Sequence, residues 1–417
     1  MAAGPGYGAF LRDNAAFLLA GGLLTFGSSY GQTFFISLFA GEIMGDFGLT
    51  DGQWGVTYTV ATSLSALAMV WAGALTDRFR IRHLAIFVMA SLSVACLSMA
   101  LNPSAVFLIG VIFLLRFAGL GMMGHLSAVA MARWFVASRG KALSVASLGF
   151  PLGQATLPIL FVWLLTFVDW RMLWVLAALL AILPLPVLLR LLRAERTPQS
   201  MSAEAPSPGM ADLQWTRGQM IRHPLFWLVV PLLLGPPAFG TALFFHQVHL
   251  TQIKGWALVD YVSLLPLFTA TVVSSTFLSG AIIDRSGSAW LMQVYLLPFA
   301  LAFLIMWQAE TLWGAALVYV VFGIGSGMQA TVLSAFWAEF YGTRFIGGIK
   351  SLAGAVLVLG TAIGPGITGL MIDAGHPLPD QMPAIALYFV LAAGLATIGV
   401  VRARRTLTLS KIDVIGT

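Results

Sequence analysis

Apolar positions in this chain come in long unbroken runs rather than in stripes. Stretches of about twenty or more hydrophobic residues alternate with short clusters that hold the charges, prolines and glycines. A helix that is apolar all round is one surrounded by lipid or by other helices, and roughly 20 such residues are needed to cross a bilayer. On that template the runs predict twelve helices, at 15–41, 53–76, 84–101, 105–132, 142–167, 171–192, 224–250, 257–283, 289–307, 311–338, 347–373 and 382–401.

Composition sharpens this picture. Of 417 residues, 59% are hydrophobic and only 9% charged, with mean hydropathy +0.91; soluble domains carry about 25% charged residues. Most of the surface must therefore meet lipid. If the N-terminus is cytoplasmic, nineteen of the 22 Lys and Arg fall in inner segments, leaving Arg171 and Lys254 outside and Arg116 within a span. Basic residues collect on the cytoplasmic side, so both termini are expected there, in the inner membrane. The net charge of +6 is then a topology signal, and no nucleic-acid partner is expected. The single cysteine, Cys96, excludes an internal disulfide and a thiolate metal cluster. The N-terminal apolar run lacks a small-residue cleavage site and is expected to remain as the first span.

Between the sixth and seventh runs lies a segment rich in Pro, Ser, Ala and charge, AERTPQSMSAEAPSPGMADLQWTRGQM, which has the composition of a linker. It predicts two six-helix bundles, 1–193 and 223–417, joined by residues 194–222. The halves repeat one another: GALTDR at Gly73–Arg78 recurs as GAIIDR at Gly280–Arg285, and GQATLP from Gly153 as GTAIGP from Gly360. Looser matches join YGQTFF to FGTALFF, and the ends of spans four and ten. Repeats of this kind build carriers that rock around a central site.

Twelve spans, a central linker and the motif G-x-x-x-D-R-x-R-x-R at Gly73, Asp77, Arg78, Arg80 and Arg82 resemble the major facilitator superfamily over nearly the whole chain. The stretch RWFVASRGKALSVASLGFPLGQ (133–154) resembles its bacterial monocarboxylate-transporter-like and oxalate/formate-antiporter-like branch. The resemblance implies an all-α membrane protein of twelve transmembrane helices in two pseudo-symmetric bundles, and transport by alternating access. It also implies that Gly73, Asp77 and Arg78, with the degenerate copy Asp284 and Arg285, latch one conformation of the cycle. The chain departs from that branch in having no lysine in span one and no charge midway along span eight.

The acids all lie in loops or near span ends, which leaves Arg116 as the one fixed charge expected at bilayer depth. Such a residue faces the bundle interior or a water-filled cavity. Two readings stand: its planar fork holds a substrate carboxylate, or, as is common in the superfamily, it bonds the backbone of span one. Gly119, Gly121 and Gly124 beside it suit close helix packing. His125 follows nine residues later and, on a regular helix at 100° per residue, points to the opposite side; it is a packing residue or a proton carrier. His246 and His249 share a face of span seven and form a cavity rim or a pH-sensing pair; a metal would need a third ligand, and none is expected. Tyr30, Gln32, Gln154 and Gln329 are polar at depth and, with His246, are the candidate substrate contacts beside Arg116. Gly153, Pro158, Gly364 and Pro365 are expected to bend spans five and eleven.

These observations predict a secondary transporter rather than an enzyme, since no nucleophile, metal cluster or acid pair lies at depth. The expected cargo is a small organic anion, a carboxylate, with a coupling proton carried by His125 or His246. Export of amphipathic or drug-like compounds is the alternative. No cofactor is expected, and the partners are the substrate and membrane lipid around a monomer.

Overall fold

The computed structural model describes residues 7–72, 75–135, 139–192 and 207–412, and these form an all-helical chain. Ten of its helices are long and apolar enough to cross a membrane. The first expected span falls on a shorter apolar helix, Ala15–Gly31, and the second on the helix Asp51–Ala72. Large apolar side chains such as Trp71, Phe107, Phe277 and Trp313 are exposed, which in water would be an aggregation surface and in a bilayer is the lipid-facing side.

The chain divides into two compact units, residues 1–49 with 60–203, and residues 50–59 with 204–417. Residues 50–59 group with the second unit.

In the first unit, helix Trp170–Ile182 packs along Ile81–Ala100, and Gly149–Leu165 packs along Ala15–Gly27. Its core is aromatic: Phe35 sits edge-on to Phe161 at 4.8 Å and to Trp174 at 5.4 Å. Edge-to-face pairs of this kind add specificity to apolar packing.

In the second unit the same pairings recur. Helix Leu378–Ile412 packs on Leu297–Gln308, and Ile346–Asp373 packs on the seventh expected span, Pro224–Phe245. The duplicated glycines explain the match. A Cβ on Gly153 would strike Ser29 of the first expected span, and one on Gly360 would meet Leu234 and Pro237 of the seventh. Each repeat thus brings two backbones close with the same small residue.

Gly153 and Pro158 lie within one unbroken helix, Gly149–Leu165, and Gly364 and Pro365 within another, Ile346–Asp373. The visible task of Gly364 is contact, since a Cβ there would overlap the carbonyl of Ala238.

Candidate transport site

In the first unit the site is built around a break in the first expected span. Helix Ala15–Gly27 tightens into a 3₁₀ turn, Ser28–Gly31, and stops at Gln32, whose backbone is extended (φ −87°, ψ 153°); a new short helix then starts at Thr33. A break leaves terminal carbonyls needing donors. Arg116 supplies one: its Nη1 donates to the Gly31 carbonyl oxygen at 3.1 Å and to Thr33 Oγ1 at 3.4 Å. A cation at a helix C-terminus also meets the negative end of the helix dipole.

Two glycines make that reach feasible. A Cβ on Gly119 would come within 2.6 Å of the Gly31 Cα, so the two backbones touch, and only glycine fits at either position. The helix around Arg116 is also locally widened, with residues Arg116–Met123 in π-helical geometry. Such turns are rare and mark functional or strained places.

Arg116 is 1% exposed. Of the two readings open for it, this geometry is that of the backbone-bonded one, because the guanidinium contacts a main-chain oxygen and lies out of solvent. The π turn removes the regular helix on which the expectation of opposite sides for His125 and Arg116 rested. His125 is half-buried, with Nε2 3.5 Å from Thr76 Oγ1.

The other candidates of this unit separate into two groups. Tyr30 is buried, its ring edge-on to Phe35 at 5.3 Å. Gln32 and Gln154 are nearly buried, yet among the described residues their side-chain amides make no hydrogen bond and are not sealed from solvent. The helix that carries Gln154 packs against both short helices flanking Gln32. Buried amides with unmet hydrogen-bonding capacity are suited to a polar ligand.

In the second unit, Gln329 is half-buried midway along Leu312–Tyr341, likewise without a side-chain hydrogen bond among the described residues. His246 is buried, with Nε2 3.1 Å from the carbonyl oxygen of Pro365. Its Nδ1 lies 3.6 Å from Asp51 Oδ1, and His249 Nδ1 lies 3.5 Å from Asp51 Oδ2. Asp51 stands two residues before the expected start of span two. Burial alone would raise its carboxyl pKa, but hydrogen bonding toward His246 and His249 outweighs that and holds it well below the usual carboxylate range.

Glycines again set the approach. Gly52 and Gly55 lie against Asp373 and the Pro365–Gly366 backbone, while Thr50 Oγ1 donates to Asp373 Oδ2 at 2.6 Å and Thr59 Oγ1 to the Ala362 carbonyl at 2.6 Å. Asp51 is the member of this cluster that sequence reasoning missed. Its only signal was a carboxylate at the first position of a helix, a place usually explained by the dipole alone.

Of the latch residues, Gly73 and the side chains of Asp77 and Arg78 lie outside the described residues. Asp284 and Arg285 are exposed. Beside them Glu339 Oε2 accepts from Ser288 N at 2.8 Å and Ser288 Oγ at 2.6 Å.

A family model, the Major Facilitator Superfamily, matches residues 21–365. No curated protein sequence matches the chain. Among solved structures it is similar to a bacterial homologue of the human lysosomal transporter Spinster in an inward-facing, unoccupied conformation. The identity is 19%, 95% of each chain is covered, and the TM-score is 0.68. The occupied form of that protein matches with 18% identity over 97% of this chain and 96% of the other, TM-score 0.65. A nucleoside transporter, NupG, matches with 11% identity over 94% and 99%, TM-score 0.68. At these identities the structural matches speak for fold alone, and they agree with the family match across most of the chain. The chain is a multi-pass membrane transporter that belongs to the Major Facilitator Superfamily.

Proposed function

We propose that this protein is a secondary transporter that moves a small organic anion by alternating access, in which the substrate is bound by amides and Arg116 acts on it through its field. The observation that carries this reading is the position of the Arg116 guanidinium, buried at the Gly31 carbonyl immediately before the break at Gln32. A positive charge in a low-dielectric interior is felt over several ångströms, so an anion beside Gln32 gains from it without touching it. Gln32 offers an amide beside the Gly31 carbonyl that holds that charge, Gln154 one from the helix packed on the break, and Thr33 a hydroxyl. This replaces the direct bidentate clamp expected from the sequence with a fixed charge that also holds the break.

The test is uptake into proteoliposomes of labelled short mono- and dicarboxylates alongside their uncharged amides. Arg116→Lys keeps the charge and is expected to keep the preference for the acids at reduced rate. Arg116→Gln keeps a donor without charge and is expected to lose that preference by tenfold or more, with amide uptake little changed. Equal losses for acids and amides in both variants would leave Arg116 a scaffold residue and remove the anion assignment. Transport of neutral amphipathic compounds that is indifferent to Arg116 would instead support the exporter reading.

A further inference from the structure

The cluster at Asp51 has a hydrogen count that its geometry nearly dictates. A neutral imidazole carries one N–H, and the partner of one nitrogen sets the state of the other. The Nε2 of His246 faces a carbonyl oxygen, Pro365 O at 3.1 Å, which can only accept, so Nε2 carries the hydrogen. In the neutral ring Nδ1 would then aim a lone pair at a carboxylate oxygen, Asp51 Oδ1 at 3.6 Å. Two lone pairs facing one another repel; a hydrogen between them removes the conflict. His249 has no such conflict, because its Nε2 is buried without a hydrogen-bond partner among the described residues. Its single hydrogen is free to sit on Nδ1 and point at Asp51 Oδ2, 3.5 Å away.

We propose that Asp51, His246 and His249 form a binding site for one exchangeable proton, held between His246 Nδ1 and Asp51, and that its occupancy fastens residues 50–59 against the helix Ile346–Asp373. Both Nδ1 atoms face the carboxylate itself rather than a shared vacant point, an arrangement for a proton rather than a metal ion. Asp51 is partly exposed, with 21% of its side chain reachable, so water delivers the proton. When the proton leaves to water, an imidazole lone pair confronts the carboxylate and the segment is pushed off its partner helix.

The other titratable groups around the cluster do not take over this task. Asp373, from the partner helix, is occupied by the Thr50 hydroxyl. Lys254, on the helix of His249, donates to the Trp307 carbonyl at 2.9 Å. Asp260, His376 and Asp380, from the neighbouring segments, are exposed, and Tyr261 is buried against Trp256.

Two measurements test the site without any substrate, so they stand or fall apart from the anion assignment. Labelled imidazole carbons report ring protonation, and the chain has only six histidines, assignable through His246→Gln. At about pH 7.5 His246 is expected to show the doubly protonated ring, and Asp51→Asn to convert it to neutral. Spin labels at Gln53→Cys and Ala374→Cys, in a Cys96→Ala background, report the spacing of the two segments. One proton changes the ratio of near to far populations by at most about tenfold per pH unit; a pH-dependent ratio of that order is expected in the native cluster and none in Asp51→Asn. A neutral His246 ring at that pH, or the same spacing at all pH values in the native cluster, overturns the proposal. A persisting response in Asp51→Asn also does so.

Discussion

Arg116 Nη1 donates to the carbonyl oxygen of Gly31 across 85 residues of sequence, at 3.1 Å. This bond joins the fourth expected span to the first at the point where the first changes direction, and it places the buried charge at the C-terminal end of a helical segment. Removing it leaves a buried carbonyl without that donor, a cost of about 1–3 kcal/mol. Arg116→Ala is therefore expected to lower the melting temperature in detergent, read by differential scanning fluorimetry, and Arg116→Lys to recover part of the loss. Equal melting of Arg116→Ala and the parent would show that the break holds without this bond.

Glycines separate into those that need their missing side chain and those that do not. Gly119→Ala would push a Cβ to within 2.6 Å of the Gly31 Cα, while Gly124→Ala meets nothing within 4 Å. Overpacking costs about 1–3 kcal/mol, whereas alanine in an open helical position gains up to about 1 kcal/mol. The expected order of thermal stability is Gly124→Ala at or above the parent, with Gly119→Ala clearly below it. The reverse order would contradict the backbone contact between spans one and four.

Much of the architecture was legible before any coordinates. The runs of apolar residues, the linker and the duplicated GALTDR and GAIIDR segments led to a two-part helical carrier, because lipid imposes length and composition directly on a span. The glycine repeat at 153 and 360 was legible as a repeat but not as contact, since sequence does not say what lies opposite a small residue. The π turn at Arg116–Met123 left no trace in periodicity, and with it went the assignment of faces to Arg116 and His125. Asp51 was invisible as a partner of His246 and His249 because nothing local links the start of one helix to the end of another.

Asp51 also yields a stability prediction with a definite sign. Its carboxyl is depressed in the folded protein relative to the unfolded chain, so the group stabilises the fold fully above the ordinary carboxylate range of about pH 4. That contribution is lost as pH falls through the depressed folded value. Asp51→Asn is expected to melt below the parent at pH 7 and to converge with it only in strong acid, in melting curves taken from neutral pH downward. A gap that does not narrow in acid would mean the residue stabilises by shape rather than by charge.

Glu339 provides a fourth, independent stability test near the end of the helix Leu312–Tyr341. Its carboxylate accepts two bonds from Ser288, beside Gly287 at φ +76°. Loss of such an acceptor costs about 1–3 kcal/mol. Glu339→Ala is expected to destabilise by that order and Glu339→Gln by less, since an amide oxygen still accepts. Gly287→Ala is expected to destabilise as well, because alanine resists that backbone conformation. Unchanged melting in Glu339→Ala would remove the cap from the list of supports.

The widened turn at Arg116–Met123 has a consequence for residue counting. A regular helix advances about 100° per residue, so a turn that holds one extra residue offsets everything beyond it by roughly that angle. Shortening the segment by a single position, for example by deleting Leu120, would restore ordinary pitch while leaving composition almost untouched. His125, Ser127 and the rest of the lower half would then present a different stripe to their neighbours, and the Ser127 Oγ bond to the Gly21 carbonyl would have to break. Length, as much as chemistry, is what this stretch encodes.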